Sequence, residues 1–146
     1  MPRLPMQTND RTRLIFHGAV VMLVGLLCGL PAVTEVGEGA LRQWHTAHEA
    51  LIMVGVWLLA MSSVFPALVL ERREASGLVW SLLAMGYGLT IALVVAALAG
   101  VRAFEPGSSP ASIIAFCASS IGILGSVVAT ALTLMGARAS PKATGG

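Results

Sequence analysis

Four long apolar runs, each free of Asp, Glu, Lys and Arg, constrain this chain more than any other feature. They cover residues 14–33, 50–70, 78–101 and 113–135. Each has about 20 residues or slightly more, enough for an α-helix to cross a hydrocarbon core about 30 Å thick. Backbone N–H and C=O groups in lipid must be satisfied within the segment, so we expect all four runs to be α-helices. The predicted fold is all-α, a four-helix transmembrane bundle.

The composition agrees with a membrane protein and narrows the expected partners. Of the 146 residues, 56% are hydrophobic and 11% are charged, whereas a soluble domain has roughly 25% charged residues. The net charge of +2 is too small to indicate a nucleic-acid partner, so the lipid bilayer is the expected one. We expect an N-terminal cytoplasmic tail at residues 1–13, a transmembrane domain at residues 14–136 and a disordered C-terminal tail at residues 137–146.

The basic residues are distributed unevenly between the two ends of the predicted bundle. Arg42 and Arg102 lie in the first and third connections. The other seven lie in the two tails and the second connection: Arg3, Arg11, Arg13, Arg72, Arg73, Arg138 and Lys142. Cytoplasmic segments carry the excess of Lys and Arg in membrane proteins. The distribution therefore predicts that both termini are cytoplasmic.

Small residues recur in the first and fourth predicted helices at intervals of four. Gly25 and Gly29 form a GxxxG motif, and the fourth helix carries a stripe of Ala118, Gly122, Ser126 and Thr130. Such positions let helix backbones approach closely within lipid. The pattern predicts a compact bundle and favours an oligomer. Pro66 is expected to kink the second helix.

The three histidines are the leading candidates for chemistry, because ionisable residues near the membrane are rare. His17 is one turn into the first helix, where both an interfacial and a functional role stay open. His45 and His48 are three residues apart at the start of the second helix and share a face, with Gly55 two turns beyond His48. A histidine can ligate haem iron, and a glycine leaves room for a flat macrocycle. Spacing alone leaves haem binding and an interfacial role open.

Other kinds of site receive less support from the sequence. A zinc site is not favoured, because His45 and His48 have only Glu49 or Glu38 as a further ligand and structural zinc sites normally need four. No nucleophilic triad, phosphate-binding glycine loop or carboxylate dyad is visible. A proton-coupled transporter is not favoured either, since the apolar runs contain no carboxylate. No catalytic residue is assigned from the residue pattern.

Short motifs in this chain resemble those of styrene oxide isomerases and hydroxylaminobenzene mutases. The segment Phe16-His17-Gly18 resembles the start of these proteins. The stronger likeness is Trp44-His45-Thr46-Ala47-His48 followed by Gly55, since an Ala-His pair opens the second helix in those families. Phe65-Pro66, the short basic turn and the third helix with Gly86 also align. The resemblance extends over residues 14–135.

The resemblance implies a fold, a cofactor and a reaction. Styrene oxide isomerases are four-helix membrane proteins that form trimers and hold haem b between subunits, with the Ala-His histidine, here His48, as the axial ligand. Ferric iron acts as a Lewis acid on an epoxide oxygen, and rearrangement yields an aldehyde. The mutases convert an arylhydroxylamine into an aminophenol. The expected protein is thus a haem-dependent isomerase of a small hydrophobic molecule, a homo-oligomer of a bacterial inner membrane.

The chain also departs from the family pattern at polar positions. The families have asparagine where this chain has Val54, and a second asparagine where it has Thr90. Tyr87 does not fall on the active-site tyrosine position of the isomerases. Three hypotheses therefore stand: a haem-dependent isomerase, a haem-binding sensor or electron carrier without isomerase activity, and an accessory membrane protein without cofactor.

Overall fold

The computed structural model describes residues 6–31 and 38–139, which are almost entirely helical. Four helices follow one another along the chain: α1 (Met6–Cys28), α2 (Glu38–Val64), α3 (Arg72–Ala99) and α4 (Pro110–Ala139). Each is long and apolar enough to cross a membrane. The described residues contain no strand. The predicted four-helix, all-α membrane fold is confirmed.

All four helices begin before the apolar runs that predict them, while α1 and α2 end earlier than predicted, at Cys28 and Val64. α1 begins at Met6 rather than near residue 14, and α2 begins at Glu38 rather than near residue 50. An apolar run marks the stretch that hydrocarbon can hold, whereas backbone hydrogen bonding continues into the polar surface region. Much of the predicted first connection and N-terminal tail is therefore helix. Residues 137–139 of the predicted disordered tail belong to α4, and residues 1–5 and 140–146 lie outside the described residues.

Local sequence signals set the ends of α3. At its start, the backbone N–H of Glu71 donates to Glu74 Oε2 at 2.9 Å, and the Glu71 side chain accepts from the helix in return. This reciprocal pair satisfies N–H groups that have no partner within the helix. At its end, Gly100 adopts a left-handed φ of 67° and donates to Ala96 O. Glycine adopts this conformation without the steric cost of a Cβ.

Pro66 ends α2 instead of kinking it. The α-helix stops at Val64, and a short 3-10 turn over Phe65–Ala67 follows. Proline has no N–H for the helical ladder and clashes with the preceding turn. The chain then passes beside α4, where Val69 N–H donates to Gly136 O at 3.1 Å.

Two helical hairpins, α1 with α2 and α3 with α4, make up the bundle, and α3 also contacts α1 and α2. Glycines set both close approaches. A Cβ on Gly25 would lie 2.8 Å from Ile52 N, and one on Gly88 would lie 2.7 Å from Gly122 N. The predicted GxxxG contact is confirmed, but only the first half of the α4 stripe is buried, because Thr130 is exposed. Large apolar side chains cover the outward faces, as a lipid environment requires.

Candidate functional site

The imidazole of His48 is the most precisely held of the predicted site residues. His48 lies in the third turn of α2, half-buried against the end of α1. Its Nδ1 is 2.8 Å from the backbone carbonyl oxygen of Gly25. A carbonyl oxygen only accepts hydrogen bonds, so Nδ1 carries the proton and donates it. In the neutral ring this leaves the Nε2 lone pair, which a metal ligand needs.

The GxxxG motif makes room for this ring. A Cβ on Gly29 would lie 2.7 Å from His48 Nδ1 and 2.9 Å from its Cε1, closer than side chains tolerate. Gly25 lets the α2 backbone come close enough for the imidazole to reach the α1 carbonyl. The motif therefore has two roles: it lets α1 and α2 pack closely, and it leaves space for the His48 imidazole.

The described residues offer His48 as a single candidate ligand rather than as part of a cluster of metal-binding side chains. In the part of the chain that the structure describes, no three His, Cys, Asp or Glu residues come together. Haem needs only an axial ligand from the protein, since the macrocycle supplies the other four nitrogens. A ligating histidine typically donates its second ring N–H to a carbonyl or carboxylate, as His48 does. The Nδ1 contact of His48 is one feature that a metal-ligating histidine typically has.

His45 has a different environment from His48. Its side chain is exposed, whereas that of His48 is half-buried. The two residues occur on adjacent parts of one helical face, as the three-residue spacing predicts. Only His48 contacts α1 through a hydrogen bond that fixes its tautomer. His45 is therefore the natural control for His48.

Gly55 does not have the role that the sequence suggested. It shares the α1-facing side of α2 with His48, as the two-turn spacing predicts, and it is buried. A Cβ on Gly55 would lie 2.7 Å from Met22 Cβ and 2.9 Å from Gly18 O. The space over Gly55 is filled by α1 of the same chain, which leaves no gap for a macrocycle. The expectation that Gly55 provides clearance for haem is corrected: its small size serves the helix crossing.

The two positions that carry asparagine in the family present little polarity. Val54 is half-buried and lines a groove of about 320 Å³ together with Trp57, Met85 and Ser126. Thr90 Oγ1 donates to its own helix at Gly86 O, 2.7 Å away. The threonine proton is therefore used by the backbone, and the valine offers no hydrogen bond. Neither residue replaces an asparagine amide as a donor.

A second polar pair, which the sequence did not predict, joins α1 to α3. His17 Nδ1 lies 2.6 Å from the hydroxyl oxygen of Tyr87. Beside this pair, the Arg13 guanidinium lies 5.7 Å from the centre of the Trp80 ring, within cation–π range. These four side chains line a pocket of about 420 Å³. The signal was present: a lone tyrosine and a histidine inside apolar helices each need a polar partner.

The two histidine sites are separate. His17 and Gly25 lie on one helix and differ by eight positions, about 12 Å along the axis at about 1.5 Å per residue. His17 also bonds to α3, whereas His48 bonds α2 to α1. The structure therefore does not bring the histidines into one centre.

Comparison with known proteins identifies the family. The sequence matches the family model of styrene oxide isomerase over residues 10–138, nearly the whole length of the four-helix bundle. No curated protein and no solved structure matches the chain. The match includes both helical hairpins and His48. The chain belongs to the styrene oxide isomerase family.

Proposed function

We propose that this protein is a haem-b-dependent membrane isomerase that rearranges a small lipophilic substrate. The reaction is an epoxide-to-aldehyde conversion or, in the alternative, an arylhydroxylamine-to-aminophenol conversion. The observation that carries the proposal is the His48 imidazole, fixed through Nδ1 on Gly25 O with Nε2 left for iron. Family membership supports the reaction class.

In this proposal, residues of the chain hold the haem and orient its histidine ligand. His48 would ligate the haem iron, and the Gly25 carbonyl fixes the orientation of its ring. When bound, ferric haem supplies a Lewis acid toward the substrate oxygen with no net redox change. Gly29 leaves space for the His48 imidazole, since a Cβ at position 29 would clash with the ring.

The proposed reaction needs no second reactant. An isomerisation conserves all atoms of the substrate, so no co-substrate pocket is required. The groove beside Val54 is lined mainly by apolar side chains, among them Met53, Trp57 and Met85. A small aryl epoxide dissolved in the bilayer matches this lining in polarity. The proposed setting is a bacterial inner membrane, with both termini cytoplasmic and the chains assembled as a trimer.

Absorption spectroscopy coupled to an activity assay tests the proposal. Detergent-purified protein is titrated with hemin, then incubated with styrene oxide while aldehyde formation is followed. We expect a Soret band and aldehyde formation in the wild type and in His45→Ala, and neither in His48→Ala. A normal Soret band in folded His48→Ala would overturn the ligand assignment. Bound haem without turnover of epoxides or arylhydroxylamines would overturn the isomerase.

A second candidate function, a haem-binding sensor or electron carrier, is favoured by the two substituted asparagine positions. Val54 offers no hydrogen bond, and the Thr90 hydroxyl donates to Gly86 O. A protein that kept the ligand and lost the groups that orient substrate would bind haem without isomerising anything. A third candidate, an accessory membrane protein without cofactor, predicts a flat spectrum even with added hemin.

A further inference from the structure

A pocket of about 280 Å³ lies at the end of the bundle where α2 starts, α3 ends and α4 starts. It is distinct from the His48 site, since its walls come from α2, α3 and the segment after α3 rather than from α1. Arg42 and Thr46 line it from α2, and Leu93 and Ala96 line it from α3. The pocket lies near the start of α2 and the end of α3, the ends of two helices that are long and apolar enough to span a membrane, which is where a membrane surface is expected.

The pocket has both charge signs at its mouth. Arg102 Nη1 lies 2.7 Å and 3.0 Å from the two carboxylate oxygens of Glu105, and both side chains are largely exposed. Among the described residues, no acidic group pairs with Arg42. Among the side chains that the structure describes, the lining therefore carries Arg42 without an acidic partner beside the Arg102–Glu105 ion pair. A zwitterionic group with an anionic end near Arg42 complements this arrangement.

Gln43, which lines the pocket, has a hydrogen-bonding requirement that no described residue meets. Its side-chain Oε1 is buried and has no hydrogen-bond partner within the described part of the chain. It is the only described side-chain oxygen or nitrogen in that condition. A buried amide oxygen without a donor costs free energy, so native structures nearly always supply one. An N–H donor from a ligand satisfies it.

We propose that this pocket binds the headgroup of a phospholipid that carries a primary ammonium, such as phosphatidylethanolamine. The phosphate lies against Arg42, and the ammonium donates to Gln43 Oε1. Leu93 and Ala96 provide an apolar wall for the glycerol and the upper acyl chains. A choline headgroup has the same charges but no N–H, so it leaves the Gln43 oxygen unsatisfied.

Native mass spectrometry of the full-length protein tests this proposal. The protein is incubated with equal amounts of phosphatidylethanolamine and phosphatidylcholine of the same acyl chains, and retained lipid is counted. One charge-assisted hydrogen bond predicts retention of the ethanolamine lipid about tenfold over the choline lipid. Gln43→Leu removes the preference, while Arg42→Ala reduces retention of both lipids. Arg73→Ala, at the opposite membrane surface, is the matched control and changes neither.

The remaining outcomes separate the sources of the headgroup. Equal retention of the two lipids by the wild type overturns the ammonium assignment. Unchanged retention in Arg42→Ala overturns the phosphate assignment. Water-soluble phosphoethanolamine is added as a competitor to the lipid-loaded protein. If phosphoethanolamine at the same concentration as the lipid does not displace it, a membrane lipid is supported as the ligand. Complete displacement of the lipid shows that the pocket binds a free phosphate ester and overturns the lipid assignment.

Discussion

His48 in α2 donates a 2.8 Å hydrogen bond from Nδ1 to the backbone carbonyl of Gly25 in α1. The contact joins the two helices of one hairpin and also decides which ring nitrogen carries the proton. An unpaired imidazole in this position would have neither a fixed tautomer nor a fixed orientation. The same small-residue motif therefore lets α1 and α2 pack closely and orients the candidate ligand His48.

Gly29→Ala is expected to weaken haem binding without touching the ligand itself. The new Cβ would lie 2.7 Å from His48 Nδ1, so the ring must move away from Gly25 O. Loss of a contact that orients a metal-binding histidine typically lowers metal affinity about 10–100-fold. Hemin titration measures the affinity. Gly77→Ala is the control, because its Cβ would make an ordinary 3.5 Å contact with Leu132.

An unchanged hemin affinity in a correctly folded Gly29→Ala variant would contradict this account. Size-exclusion chromatography and circular dichroism show whether the variant is folded. The hemin titration is therefore carried out in detergent on the folded fraction of the variant, separated from any aggregate.

Gly55→Ala is expected to destabilise the bundle rather than to exclude haem selectively. Its Cβ would lie 2.7 Å from Met22 Cβ and 2.9 Å from Gly18 O. Overpacking of this kind costs about 1–3 kcal/mol of unfolding free energy. Thermal unfolding measures the loss, and Gly18→Ala, with its nearest contacts at 3.1 Å, should lose less. A Gly55→Ala variant with wild-type thermal stability but no haem would instead restore the role that the sequence suggested.

The fold was predictable because length and charge-free composition decide it. A run such as residues 78–101 has no stable conformation in lipid except a helix. The helix bounds were not predictable to the same degree. The start of α2 mixes polar and apolar residues, and hydropathy does not show whether such residues beyond the bilayer remain helical. Pro66 was recognised as a disruption, but whether it kinks or ends α2 depends on what the chain does next.

The candidate site was predictable only as far as one helix determines it. Helical periodicity correctly placed His48 and Gly55 on one face of α2. Tertiary packing decides which helix covers that face, and at Gly55 the face is covered by α1. The partner of His48 is a backbone carbonyl, which has no sequence signature. The His17–Tyr87 contact joins residues 70 apart, so the sequence marks each residue as needing a polar partner but does not pair them.

Tyr87→Phe is expected to lower stability while leaving the haem spectrum unchanged. The change removes the hydroxyl that lies 2.6 Å from His17 Nδ1. A typical internal hydrogen bond contributes about 0.5–1.5 kcal/mol. A double-mutant cycle with His17→Ala measures the coupling of the pair by thermal unfolding. Loss of the Soret band in His17→Ala, with His48 intact, would contradict the assignment of His48 as the iron ligand.

Val54→Asn is expected to raise isomerase turnover without changing haem content. The side chain at position 54 lines the groove beside Ser126 and Thr130, whose hydroxyl protons already bond to their own helix. An amide there adds the donor that this groove lacks, and one well-placed donor changes turnover by about 10²–10³ in enzymes that depend on it. We therefore expect a gain of at least about tenfold. Aldehyde formation per mole of haem is measured, with Val54→Leu as the apolar control. Equal rates in the two variants, each with a full Soret band, would favour the haem-binding module over the isomerase.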